Sequence, residues 1–83
     1  MSAGGIDLDT GVTEYNPEDA AVKRAAFANA RRRIVVADGS KIGATAFARV
    51  CSSDSLDMII TDGSAPVSKL SELRDAGIEV VVV

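Results

Sequence analysis

The stretch Ile34-Val35-Val36-Ala37-Asp38-Gly39-Ser40-Lys41-Ile42-Gly43 constrains the chain more than any other. Its apolar, β-branched opening, Ile34 to Ala37, has the length of a buried strand. The run then breaks into Asp-Gly, with a hydroxyl and a lysine directly behind. In an open parallel sheet, ligands sit at the carboxyl ends of the strands, where the chain turns over the edge. Asp38, Ser40 and Lys41 fall at such an end, and Gly39 and Gly43 let the backbone approach another group closely. A lysine beside free backbone N–H groups suits an anion, most simply a phosphate. An ordinary strand-to-turn junction carries the same letters, and the pattern alone favours it.

The segments around this stretch alternate between helix and strand, as in an α/β chain. Met1 to Gly5 is small and polar and reads as a frayed end. Ile6 to Val12 holds Asp9-Thr10-Gly11, a turn signal between two apolar residues, and fits either a short strand or an extended loop. Asn16-Pro17-Glu18-Asp19 is a helix start: Asn caps, Pro fits the first position, and the acids favour the positive end of the dipole. The helix is expected to run to about Arg31, with Val22, Ala25, Ala26 and Asn29 on its inner side and Phe27 and Ala30 extending that surface. Lys23 and Arg24 point off this stripe. Arg31-Arg32-Arg33 reads as three cations at the negative end of the helix dipole, in preference to a phosphate or DNA patch.

Beyond Gly43, a short strand is expected near Phe47–Val50, then a polar loop or single helical turn at Ser52–Ser55. Leu56 to Thr61 is a further strand, with Met58, Ile59 and Ile60 buried on both faces. It too ends in Asp-Gly, at Asp62-Gly63. If the two strands run parallel, Asp38 and Asp62 emerge on the same sheet edge, where two carboxylates suit a metal or sugar hydroxyls. A favourable turn sequence by itself accounts for Asp62 in most such cases. Pro66 starts a last helix with an inner stripe of Val67, Leu70, Leu73 and Ala76, which Gly77 caps. Lys69, Glu72, Arg74 and Asp75 form its solvated side. Ile78 to Val83 closes the chain as an apolar strand, which makes Leu56–Val83 a right-handed βαβ unit.

Composition excludes several classes. At 83 residues the chain is one domain at most. One cysteine and no histidine leave no disulfide framework and no Cys/His zinc site, so Cys51 reads as a small buried hydrophobe in a reducing compartment. Nothing resembles a membrane span or a signal peptide, and a cytoplasmic location is expected. A net charge of −3, few aromatics and no tryptophan argue against direct nucleic-acid contact by this chain.

The order of these pieces resembles the C-terminal part of the effector-sensing domain of DeoR-type bacterial transcriptional regulators. The resemblance rests on Gly5-Ile6-Asp7, Glu18 through Lys23-Arg24, the Ala37–Gly43 loop, Ile60-Thr61-Asp62, and Leu73-Arg74 through Gly77-Ile78-Glu79-Val80. It implies a ribose-5-phosphate isomerase-like fold, here a partial parallel-sheet α/β sandwich lacking its N-terminal half, with residues 1–83 as part of a sugar-phosphate-sensing domain. It further implies a phosphorylated sugar or related metabolite as effector, and contact with DNA only through a helix-turn-helix module outside this chain. On that reading Lys41 supplies charge, Asp38 accepts from hydroxyls or holds Lys41, Ser40 and Gly43 complete the loop, and Lys23 or Arg24 closes the pocket. No cofactor, metal or catalytic set is implied, and a homo-oligomer is expected.

The similarity to the isomerases themselves breaks at two places. Their Asp-Gly-Ala-Asp run is replaced by Met1-Ser2-Ala3-Gly4, and the position of their general-base glutamate falls on Lys23. Proton transfer from carbon needs a carboxylate there. A sensor that binds without turnover fits the remaining match. A divergent sugar-phosphate isomerase using Asp38 and Lys41, or a small α/β interaction module pairing through Ile78–Val83, are the rival expectations.

Overall fold

The computed structural model describes all 83 residues as two three-stranded sheets that share one core. The order along the chain is β1 (Gly5–Asp7), β2 (Gly11–Glu14), α1 (Pro17–Ala28), β3 (Ile34–Val36), β4 (Ala48–Cys51), β5 (Met58–Thr61), α2 (Val67–Asp75) and β6 (Glu79–Val82). Single 3₁₀ turns occupy Gly39–Lys41 and Ser53–Ser55. The fold is mixed α/β with a parallel sheet, as expected. No helix is long and apolar enough to cross a membrane.

The parallel sheet has the order β3-β5-β6. Ile34, Val35 and Val36 pair with Met58, Ile59 and Ile60, which pair in turn with Glu79, Val80 and Val81. Because side chains alternate, Val35, Ile59 and Thr61 point into the core and are buried. Ile34, Val36, Met58, Ile60 and Val81 share the other side, where Val36 is 52% exposed. The expectation that Met58, Ile59 and Ile60 are buried on both faces is therefore corrected: one face has a helix layer and the other has none.

The second sheet, β1-β2-β4, is antiparallel. It resolves the ambiguity of Ile6–Val12 in favour of a hairpin around Asp9-Thr10-Gly11. Nor is the amino end frayed. Ala3 and Gly4 are buried, and Met1 lies along β3, donating to Ile34 O at 2.6 Å and accepting from Val36 N at 2.7 Å.

Helix α1 begins as its letters dictate. Asn16 Oδ1 accepts from Glu18 N (2.8 Å) and Asp19 N (3.4 Å), with Pro17 next in line. It packs on β2 and β4 with Ala20 and Phe27 inward, while Val22 is 68% exposed. The expected inner stripe of Val22, Ala25, Ala26 and Asn29 is thus the outer one. The helix also ends three residues early. Asn29 Nδ2 returns to Ala25 O at 2.8 Å and Arg33 Nε to Phe27 O at 2.8 Å, satisfying terminal carbonyls before the chain reverses into β3. Arg31 and Arg32 lie beyond it and are exposed.

Helix α2 buries Leu70 and Leu73 and leaves Val67 80% exposed and Ala76 exposed, so its inner stripe is shorter than expected. At its end Gly77 has φ 94°, Gly77 N bonds Arg74 O at 2.9 Å and Ile78 N bonds Leu73 O at 3.2 Å. This is the Schellman cap that the glycine predicts. Cys51 is half-buried rather than buried, and desolvation pushes its thiol pKa up.

Candidate functional site at the carboxyl ends of the parallel strands

Strands β3 and β5 are parallel and in register, Val36 opposite Ile60, and both run into Asp-Gly-Ser. Asp38 and Asp62 therefore leave the sheet side by side. Each carboxylate folds back on its own turn. Asp38 Oδ1 accepts from Ser40 N at 2.8 Å and from the Ser40 hydroxyl. Asp62 Oδ1 accepts from Ser64 N at 2.9 Å and from the Ser64 hydroxyl. The same Asp62 oxygen takes a third donor, Gly39 N, at 3.1 Å.

These bonds favour the ionised forms. The Ser40 hydroxyl and N–H hold the Asp38 carboxyl below the usual aspartate range, with Lys41 helping and Asp62 opposing. The Ser64 hydroxyl and N–H, then Gly39 N–H, do the same for Asp62. Beside the two carboxylates lies a groove of about 190 Å³ with an apolar floor of Val36, Ala37, Ile60 and Val83.

The expected site residues divide into two groups. Asp38, Ser40 and Lys41 lie together on the 3₁₀ turn at the end of β3. Gly43 follows with φ 87°, its N donating to Ile6 O at 2.7 Å and the Lys69 stem lying over it. Asp38 does not hold Lys41: no ion pair joins them, and Ser40 occupies the Asp38 Oδ1 instead. Lys23 and Arg24 make no hydrogen bond to this loop. Lys23 Nζ is paired with Glu14 at 3.1 Å and donates to Ser2 O at 2.7 Å. Arg24 donates to Arg49 O at 2.6 Å. Both anchor α1 to neighbouring backbone: they point off the Val22–Asn29 stripe as expected, but that stripe is the outer one.

Asp62 emerges beside Asp38 on this edge, as weighed from the sequence, although it was not counted with the effector loop; Ser64, on the same turn, was not among the expected site residues. The signal that finds them is the repeated tripeptide, Asp38-Gly39-Ser40 and Asp62-Gly63-Ser64, each after a β-branched strand. Lys69 is the other cation close to the loop, through its stem over Gly43, although its ammonium is drawn toward Glu72 at 3.6 Å.

Comparison with known proteins bears on this arrangement. Residues 1–63 match the model of the DeoR C terminal sensor domain. The whole chain is 36% identical to a putative aga operon transcriptional repressor of Escherichia coli, covering 31% of that protein. Over 98% of its length it is 31% identical to the HTH-type transcriptional regulator GlpR of Haloferax volcanii, covering 32% of it. Over 95% of its length it is 33% identical to the glycerol-3-phosphate regulon repressor of Escherichia coli, covering 31% of it. The chain thus spans about a third of the length of the curated relatives it matches. With the family model matching most of its residues and repressors aligned along nearly all of it, this chain belongs to the DeoR C-terminal sensor domain family.

Proposed function

We propose that this chain supplies the Asp38–Gly43 loop to an effector site for a phosphorylated sugar-metabolism intermediate, and that occupancy of the site sets the DNA affinity of a helix-turn-helix module in the same regulator. The observation that carries the reading is the parallel register of β3 and β5. It delivers a carboxylate with one free oxygen, Asp38 Oδ2, to a strand-end groove, and the turn that follows carries Lys41, a lysine without an ion-pair partner. A lysine ammonium suits phosphate, and a carboxylate oxygen accepts from sugar hydroxyls. Binding of this kind favours one of two sensor arrangements and thereby changes operator affinity.

Turnover fits these groups less well. Lys23 stands where the isomerases carry their general base, and here its ammonium is neutralised by Glu14. Asp38 is a weaker base than an ordinary aspartate because Ser40 stabilises its ionised form. The site is also open on one side, because the face carrying Val36 and Ile60 has no covering layer. We assign residues 1–83 accordingly to part of a sensor domain, whose further segments cover that face.

The test is an amide NMR titration of the chain with phosphorylated and plain sugars. Saturable shifts at Asp38–Gly43 for phosphorylated compounds alone are expected. Shifts spread evenly over the surface, or none in a well-dispersed spectrum, overturn the assignment of this loop.

A further inference from the structure

The second Asp-Gly-Ser turn is built into the first. Gly39 N–H is the leading donor of the 3₁₀ turn Gly39–Lys41 and has no partner within it. Asp38 serves the next donor, Ser40 N, and Asp62 serves Gly39 N from 23 residues away. Gly39 is buried, so water is a poor substitute for that bond. The two turns also touch through backbone: a Cβ on Gly39 would lie 2.1 Å from Ala65 N and 2.3 Å from Ser64 Oγ. Asp62 Oδ1 has three donors on it, which marks it as a holding group rather than a free acceptor.

We infer that Asp62 is a positioning residue: through Gly39 N–H it fixes the shape in which the Asp38–Lys41 loop presents Asp38 Oδ2 and the Lys41 ammonium to a ligand. This rests on the effector reading above and deepens it. It also ties the loop to α2, because Ser64 and Ala65 lead directly into Pro66 and the first turn of that helix. At the loop's other end the stem of Lys69, from the same helix, lies over Gly43.

The experiment compares amide spectra of the 83-residue chain with those of Asp62→Ala and Asp62→Asn, each then titrated with inorganic phosphate and ribose 5-phosphate. Asp62→Ala is expected to displace the Gly39, Ser40 and Lys41 amides while those of β1, β2 and α1 stay in place. Asp62→Asn keeps an oxygen acceptor for Gly39 N–H and is expected to restore them. Affinity for whichever probe binds the parent chain is expected to fall about tenfold in Asp62→Ala and to recover in Asp62→Asn. Unmoved amides at 39–41 in Asp62→Ala, or unaltered affinity, overturn the role given to Asp62. If neither probe binds the parent chain, the effector reading fails and the amide comparison alone decides whether Asp62 shapes the loop. If Asp62→Ala does not fold, hydrogen exchange at Gly39 in the parent chain decides: an amide protected well beyond those of the exposed loops supports the role, and exchange as fast as an unbonded loop amide overturns it.

Discussion

Two buried threonines make opposite predictions for one substitution. Thr61 on β5 is 2% exposed, and its hydroxyl is the buried side-chain polar atom without a hydrogen-bond partner. Thr13 on β2 is 3% exposed, but its hydroxyl accepts from Ala46 N at 2.8 Å and donates to Gly5 O at 3.4 Å. Valine has nearly the same shape and a similar strand preference, so the change isolates the hydroxyl. Burying an unpaired hydroxyl costs about 1–3 kcal/mol, and a buried methyl in its place adds at most ~0.8 kcal/mol in the same, stabilising direction. Taking ~1.5 kcal/mol as the gain, Thr61→Val is expected to raise Tm by roughly 6–12 °C, given about 4–8 °C per kcal/mol for a domain of this size. Thr13→Val strands the Ala46 N–H and is expected to lower stability by about 1–2 kcal/mol. Urea unfolding followed by circular dichroism, with m-values compared, measures both. A Thr61→Val variant that is no more stable than the parent refutes the reasoning, because it means that the Thr61 hydroxyl has a partner such as an ordered water.

Three further outcomes are expected. Gly39→Ala forces a Cβ onto Ala65 N and is expected to cost about 3 kcal/mol, whereas Gly63→Ala meets nothing within 4 Å and has no positive φ to strain, so urea midpoints should separate the two cleanly. The carboxyls of Asp38 and Asp62 bind protons less readily folded than unfolded. Their stabilisation is therefore complete above the ordinary value of 3.8 and is lost as pH falls through the lower folded values, and Asp38→Asn with Asp62→Asn should flatten the acid limb of a stability–pH curve. Desolvation makes Cys51 a poor nucleophile at neutral pH, so alkylation by iodoacetamide should be slower in the folded chain than in urea, with a midpoint above the usual range of a cysteine thiol.

What the letters carried best were signals complete within a few residues. Asn16-Pro17-Glu18-Asp19 starts α1, Gly77 ends α2, and the β-branched runs at Ile34 and Met58 become neighbouring parallel strands. The hairpin of β1 and β2 was not legible, because Gly-Ile-Asp and Gly-Val-Thr-Glu are too short to show a period and take their order from pairing with distant β4. The faces of α1 were misassigned for a different reason. Lys23 lies on the packed side because Glu14 and Ser2 receive its ammonium, so its stem covers the sheet where a periodicity argument looks for an apolar residue. The site was half legible. Each Asp-Gly-Ser is visible in the sequence, but the bond from Gly39 N to Asp62 exists only once the register of β3 and β5 is known.

Apolar periodicity reports the composition of a face, not its neighbour, and that distinction bears on the site. Parallel sheets are ordinarily covered on both sides, yet the side of β3-β5-β6 carrying Val36, Met58, Ile60 and Val81 has no layer over it. Val36 and Ile60 are also part of the groove beside Asp38 and Asp62. The uncovered face and the open side of the candidate site are thus one surface, and a segment that covered the first would close the second. In the chain alone that surface is expected to bind an apolar dye such as ANS. Val36→Asp, at a half-exposed position where a charge stays hydrated, is expected to reduce dye binding severalfold while leaving the circular dichroism spectrum and the β3–β5 amide shifts intact. Dye binding that survives this substitution, or that disappears only on unfolding, would place the accessible apolar surface elsewhere, with the outer side of α1 around Val22, Ala25 and Ala26 next in line.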